Sequence, residues 1–279
     1  LFAGQTVIVT GGGSGIGRCT AHELVHLGAH VALVGRNVEK LRAVHEELLA
    51  EGGDASVHGC DIRDDSAVAS VVESVLAMHG RIDGLVNNAG GQYYGAMKDF
   101  TTRGFEAVVR TNLTGGFIFM REVYTHWMER NGGVIVNMIA AVDHGLPGFA
   151  HSAAARSGML NLTETAAVEW APSGVRVNAV APGLIASSGF DNYSADGAAA
   201  IHEHLAGIPL QRYGDVSEVS AAIVYLLSPA AAYVTGTCLR VDGGAVNAPG
   251  GQPLAAHERS KPFCGFHLPS LPAMLKSSE

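Results

Sequence analysis

Short runs of β-branched and other apolar residues recur along this chain, each followed by a longer amphipathic stretch. That alternation restricts the fold more than any single motif. Residues 6–10, 30–35, 56–60, 82–87, 133–137, 175–180 and 237–241 read as strands. Residues 15–27, 38–50, 64–79, 102–129, 151–171 and 216–227 read as helices, the last with Asp215 as its cap. Strands that alternate with helices pair in parallel and are covered on both faces, so the strands are apolar nearly throughout instead of alternating.

The expected fold is therefore α/β, a single Rossmann-type doubly wound parallel sheet of about seven strands with helices on both faces. Residues 1–244 make up that domain. After Gly244 the chain turns to Ala-Val-Asn-Ala-Pro-Gly-Gly-Gln-Pro and then to a Pro-, His- and Ser-containing tail without a clear period, so residues 245–279 are expected to be an irregular appendage. With 47% apolar and 16% charged residues, the chain can bury enough surface to order itself. A net charge of −8 gives no general attraction to nucleic acid or to an anionic membrane. No apolar run approaches the roughly 18–20 residues needed to span a bilayer. Leu1-Phe2-Ala3-Gly4 runs straight into a strand pattern without a signal-peptide core, and Cys19, Cys60, Cys238 and Cys264 are widely spaced, so a reducing, cytoplasmic setting is expected.

The first strand ends in Thr10-Gly11-Gly12-Gly13-Ser14-Gly15-Ile16-Gly17-Arg18, where a helix begins. Glycines there let a ligand approach the backbone, and the free amides and positive dipole end of the helix favour a phosphate. A tight strand-to-helix turn would use the same residues, and the context decides. About 20 residues on, at the position that faces an adenosine ribose in this fold, the second strand ends in Val34-Gly35-Arg36. An acidic residue there selects NAD(H). Arg36, with Arg18 as a second cation, suits a 2′-phosphate instead, so NADP(H) is the expected cofactor ahead of NAD(H), and solvated helix-end arginines are the plainer alternative.

The spacing Gly11-x-x-x-Gly15-x-Gly17 resembles the short-chain dehydrogenase/reductase family. Asp61, Asn87-Asn88-Ala89-Gly90, Asn112 within Thr-Asn-Leu-Thr-Gly, Pro182-Gly183 and Asp242-Gly243-Gly244 are similar to its landmarks, over roughly residues 4–244. The resemblance implies that Asp61 and Ile62 lie at the adenine, that Asn88, Ala89 and Gly90 border the cofactor, and that Pro182 and Gly183 lie beside the nicotinamide. It also implies a catalytic Tyr, a Lys four residues later and a Ser from the preceding strand. This chain has Ser152 at the Tyr position, Arg156 at the Lys position, and Ile139 or Ala140 at the Ser position. Ser152, with an intrinsic pKa far above that of a phenol, cannot act as the usual acid.

That departure has a pattern of its own. His151-Ser152-Ala153-Ala154-Ala155-Arg156, Asn87 to Gln92 and Asp191-Asn192-Tyr193 resemble the enoyl-CoA reductase branch of the family, which reduces the α,β double bond of acyl-CoA thioesters with NADPH. Such a reaction needs donors to a developing thioester oxyanion more than it needs a strong acid. The resemblance implies that Ser152 is such a donor, that Arg156 holds ribose hydroxyls, and that Asn112 bonds backbone or an ordered water behind the site. Water, Tyr193 and His151 are the candidates for protonating the α carbon. Tyr93 and Tyr94 are read as wall residues, and Asp143 and His144 as polar residues of the substrate loop.

His22-Glu23-Leu24-Val25-His26 matches H-E-x-x-H, a zinc-site spacing. The helix register puts Thr20 and Leu24 towards the sheet and both histidines towards solvent, with no clear third ligand, so no metal is expected. The preferred function is NADP(H)-dependent reduction of a trans-2-enoyl-CoA-like thioester. Two alternatives stay open: an alcohol or aldehyde dehydrogenase acting on a medium or branched chain, and a cofactor-binding protein that has lost its chemistry. The expected partner is a small-molecule substrate, an acyl-CoA by preference. Resemblance implies a homo-oligomer, a tetramer, built on helices 102–129 and 151–171. The chain ends Lys276-Ser277-Ser278-Glu279, which is not a Ser-Lys-Leu type address.

Overall fold

The computed structural model describes residues 1–190, 197, 202–248, 254, 257–263, 265 and 272. The apolar runs become β1 (Thr6–Thr10), β2 (His30–Gly35), β3 (Asp54–Gly59), β4 (Gly84–Asn87), β5 (Gly133–Met138) and β6 (Val175–Pro182). A short pair, β7 (Ile185–Ala186) and β8 (Gly214–Asp215), precedes β9 (Cys238–Val241). Seven of these form one parallel sheet in the order β3-β2-β1-β4-β5-β6-β9. The order reverses between β1 and β4, and a crevice opens there beyond the carboxyl ends of the strands.

Helices α1 (Gly15–His26), α2 (Val38–Ala50) and α3 (Asp65–His79) follow the first three strands. The stretch expected as one helix over 102–129 is instead α4 (Thr102–Val109), α5 (Gly115–Val123) and α6 (Glu129–Asn131), joined by π-helical turns Arg110–Thr114 and Tyr124–Met128. Periodicity misses such turns because a π-turn shifts the register by one residue without leaving the helix, and these insertions concentrate at functional sites. Then come α7 (Ala150–Glu169) and α8 (Val216–Leu227). Asp215 and Glu218 form a capping box on α8, worth about 1 kcal/mol.

Successive strand residues feed opposite cores. Ile8, Leu85 and Ile135 pack with Phe119 and Val72 on one face, and Val9, Val86 and Val136 with Leu24, Leu33 and Ile223 on the other. Each fully buried side chain of this size contributes roughly 1.5–3 kcal/mol. These two layers fix the strand ends, and with them the crevice.

The H-E-x-x-H segment is placed differently from the expectation. His22 is 2% exposed, not on the solvent side, because α2 packs over it. Its Nε2 lies 3.1 Å from Glu47 and its Nδ1 3.1 Å from Glu51. The carboxylates of α2 and its C-cap make that helix face polar, which a sheet-facing stripe on α1 alone cannot show. Among the described residues no group of three or more metal-ligating side chains is arranged to hold an ion, and no helix is long and apolar enough to cross a membrane.

Candidate active site

The crevice begins at the glycine turn. Gly11 has φ +69°, and a Cβ there would fall 2.8 Å from Asn88 Nδ2. A Cβ on Gly17 would fall 2.3 Å from the Gly11 carbonyl oxygen, so Gly17 is what lets α1 start against β1. Ser14 is the N-cap of α1 and its side chain caps none of the first amides. Those amides, the helix dipole and Gly13 and Ser14 border a cleft of about 690 Å3 that runs along the ends of β2 and β3.

Arg36, Asn37 and Lys40 line the same cleft, with Asn37 capping α2 by accepting from the Lys40 amide at 3.0 Å. On the facing wall, Arg63 Nε and Nη2 donate to the two carboxylate oxygens of Asp61 at 2.8 and 2.5 Å. That fork holds the Asp61 carboxyl down at about 2. Ile62, Ala89 and Gly90 complete the wall. Arg18 does not line the cleft; its Nε donates to Glu47 at 2.7 Å, in the cluster around His22. The second cation expected of Arg18 is thus committed to α2, while Arg63, two residues past Asp61, stands at the cleft instead.

Gly90 also borders a second cavity, of about 320 Å3, with Ile16, Asn88, Arg156, Pro182 and Gly183. The Thr10 hydroxyl fixes the entrance: it accepts from the Asn88 and Ala89 amides, both at 3.0 Å, and donates to the Val86 carbonyl at 3.2 Å. The Gly183 amide donates to the Val241 carbonyl at 2.9 Å, which ties the Pro182-Gly183 turn to β9.

Behind this cavity the polar residues form a chain. The π-turn swings Asn112 towards the loop after β4, where its Oδ1 accepts from the Gly91 amide at 2.9 Å and its Nδ2 donates to the Gly91 carbonyl at 3.0 Å. Asn112 Nδ2 also reaches the Ser152 hydroxyl at 3.3 Å, leaving that hydroxyl proton free to donate elsewhere. Ser152 and His151 are fully buried. The Ser152 amide donates to His151 Nδ1 at 2.7 Å, and the imidazole stacks on Phe100 and meets the edge of Tyr93. Burial pushes the His151 pKa down.

Arg156 is 9% exposed, and its Nη1 donates to the Met138 carbonyl. Among the described residues no carboxylate pairs with it, and burial pulls the guanidinium down to about 10. A buried cation with a single carbonyl partner is costly unless an electron-rich ligand group arrives beside it. Tyr94 packs on Phe149, Asp143 pairs with Arg240, and His144 reaches the Val246 carbonyl, so each is engaged by other protein groups, and none of the three lines the cleft or the second cavity. Ile139 and Ala140, where the family's usual serine would stand, line the cavity with no hydroxyl. Tyr193 lies outside the described residues.

A sequence profile described as "Enoyl-(Acyl carrier protein) reductase" matches residues 11–246. The chain is 37% identical over 243 residues to a protein of Bacillus subtilis (strain 168) described as "Probable 2,4-dienoyl-CoA reductase [(2E)-enoyl-CoA-producing]", covering 86% of this chain and 96% of that one. It is 36% identical over 251 residues to the "Peroxisomal 2,4-dienoyl-CoA reductase [(3E)-enoyl-CoA-producing]" of Danio rerio, covering 88% and 82%. The chain belongs to the short-chain dehydrogenase/reductase family. A solved structure of a citronellol catabolism dehydrogenase from Pseudomonas aeruginosa PAO1 is 55% identical, with a TM-score of 0.80 over 88% of this chain and 96% of that one. Members of the short-chain dehydrogenase/reductase family are oxidoreductases that bind a nicotinamide cofactor and act on small molecules.

For this family member, the landmarks Gly11 to Gly17, Asp61, Asn88 to Gly90 and Pro182-Gly183 are brought to a trough made of the cleft and the second cavity, which share Gly90. Sequence reasoning missed Arg63, Asn37 and Lys40. The Asp61-x-Arg63 spacing, which lets a side chain fold back on the carboxylate two residues earlier, was the available signal.

Proposed function

We propose that this enzyme uses NADP(H) to reduce the α,β double bond of a 2-enoyl thioester, an acyl-CoA by preference. The observation that carries the reading is Arg156: a buried, carboxylate-free cation beside a serine, at positions where the usual route requires a lysine and a phenol. The trough fits a dinucleotide. A side chain at Gly11 or Gly17 would fill the turn, the α1 amides are uncapped by Ser14, and the cleft at Arg36 and the cavity at Arg156 share Gly90 as a wall residue.

On this reading Gly13, Ser14, Gly15 and Ile16 cradle the diphosphate, Arg36 with Lys40 receives the 2′-phosphate, and Asp61 and Ile62 border the adenine. An acidic residue in place of Arg36 would favour NAD(H); the basic one favours NADP(H). When bound, the dinucleotide supplies hydride to the β carbon of the thioester. Arg156 orients the ribose, and its charge also lowers the energy of the negative charge that gathers on the thioester oxygen. Ser152, held through Asn112, gives that oxygen a hydrogen bond and keeps its proton. Proton delivery to the α carbon falls to water, because burial lowers the His151 pKa and so disfavours the imidazolium that could act as an acid.

A second reading is an alcohol or aldehyde dehydrogenase for a branched chain, favoured by the 55% identity to the citronellol catabolism dehydrogenase. We also propose self-association through the outer faces of α5 and α7, where Phe117 and Val168 are exposed, and a reducing cytoplasmic setting in keeping with the buried thiols of Cys19 and Cys60. The test is a panel assay. NADPH consumption with trans-2-enoyl-CoA and none with aldehydes supports the first reading; consumption with aldehydes alone supports the second and overturns the first.

A further inference from the structure

The C-terminal segment lies beyond the family match, which ends at residue 246, yet residues 257–263 lie against the domain. His257 Nε2 donates to the Pro209 carbonyl at 2.9 Å. Arg212 Nε donates to the Ser260 hydroxyl at 2.9 Å, and its Nη2 to the Lys261 carbonyl at 3.2 Å. The same guanidinium grips Glu218 with two bonds, of 2.6 and 2.8 Å, and reaches the Tyr213 carbonyl at 3.0 Å. The Phe263 amide also donates to Glu218, adding to the Arg212 bonds that hold that carboxyl low. Because the Arg212–Glu218 pair is largely shielded from water, these charge-assisted bonds are stronger than ordinary surface contacts.

Arg212 is linked to a wall of the second cavity through the two residues that follow it. Tyr213, its neighbour, packs edge-on against Phe190 with ring centres 5.7 Å apart, and Phe190 lines the cavity beside Arg156. One residue further, β8 pairs with β7, placing Gly214 opposite Ile185, which lines the same cavity. Two wall residues are thus supported by a segment whose outer side is gripped by the C-terminal appendage.

We propose that residues 257–263 form a strap that sets the Phe190 and Ile185 wall through Arg212 and Tyr213, so that substrate fit depends on residues that never touch substrate. His257, Arg212 and Ser260 are positioning residues in this arrangement. The catalytic half of the inference rests on the reading of the cavity as the enoyl thioester site; the structural half does not.

The test uses the full chain carrying His257→Ala and Ser260→Ala, which removes two strap bonds and leaves the Arg212–Glu218 pair intact. Amide exchange in residues 203–215 should accelerate about tenfold while β1 to β5 stay protected. KM for trans-2-enoyl-CoA should rise roughly three- to tenfold with kcat within about twofold, and His257→Ala with Ser260→Thr should recover part of the loss. Unchanged exchange in 203–215 overturns the strap. So does a variant in which exchange rises across the whole sheet and kcat falls with KM, since that is general destabilisation. If the unmodified chain does not turn over enoyl-CoA at all, the functional reading fails, and the exchange measurement still decides the strap.

Discussion

Gly90 and Arg156 meet so closely that a Cβ on Gly90 would fall 2.4 Å from the guanidinium Nη2. The loop after β4 and the helix α7 are thereby fitted to one another across the middle of the trough, with Asn112 bonded to the next residue, Gly91. The contact positions a cation that has no carboxylate partner among the described residues, and a side chain at residue 90 would have to displace its guanidinium.

Arg156→Met should therefore separate stability from activity. Losing the bond to the Met138 carbonyl costs about 1 kcal/mol, whereas relieving the desolvation of a buried charge returns several kcal/mol. The melting temperature of the unliganded variant should rise by a few degrees while kcat/KM falls by at least about a hundredfold. A fall in both would mean that Arg156 is structural.

Gly90→Ala should act in the opposite sense. The added methyl displaces the guanidinium, and overpacking of this kind costs typically 1–3 kcal/mol. Calorimetry should show weakened binding of NADPH, and thermal melts a lower midpoint; a variant with parental affinity would contradict the proposed site.

At the other end of the trough, Arg36→Ala should reduce NADPH affinity selectively. A hydrogen bond to a charged group is worth roughly 1.5–3 kcal/mol, so the loss is about 10- to 150-fold for NADPH with NADH nearly unaffected. Titration with both dinucleotides reads this directly, and equal losses for both would remove the 2′-phosphate from the account. Arg18→Ala should leave this preference alone, because Arg18 is paired with Glu47.

Acid sensitivity should come from the edge of the sheet. Ser56 bridges His30 and His58 at 3.1 and 2.9 Å, and His30 stacks on His79 with ring centres 3.5 Å apart. Burial first, then the neighbouring imidazoles, push the His58 pKa down; burial first, then His30, lowers that of His79 despite Asp54. An unfolded histidine titrates near 6.5, so just below that pH the unfolded chain binds more protons than the folded one. Stability is full above about 6.5 and is lost as pH falls towards the depressed folded values. Melting temperatures should drop between about pH 7 and pH 5, and His58→Gln should flatten part of that slope. Asp61, held at about 2, acts only in stronger acid.

How much of this was legible beforehand follows from the range of each interaction. Strand and helix alternation is a local signal, and α2 and α8 occur at the boundaries read from the sequence, with Asp215 capping as expected. The glycine turn and Arg36 are equally local. What was not legible depends on neighbours distant in sequence. Helix register alone puts His22 towards solvent because its carboxylate partners lie on α2 and its C-cap, and spacing alone leaves Arg18 available to a phosphate because it cannot pair Arg18 with Glu47. The π-turn at Asn112 and the grip of Arg212 on Ser260, 48 residues away, are tertiary facts with no periodic trace.

The central claim is that hydride goes to the β carbon of a 2-enoyl thioester without a phenol acid. The most direct measurement is mass spectrometry of the acyl-CoA formed from trans-2-enoyl-CoA with NADPH carrying deuterium at the transferable position. The account predicts a saturated acyl-CoA with one deuterium at the β carbon and one NADPH consumed per product. Unchanged enoyl-CoA, with deuterium appearing instead at the carbinol carbon of an added aldehyde, would contradict it.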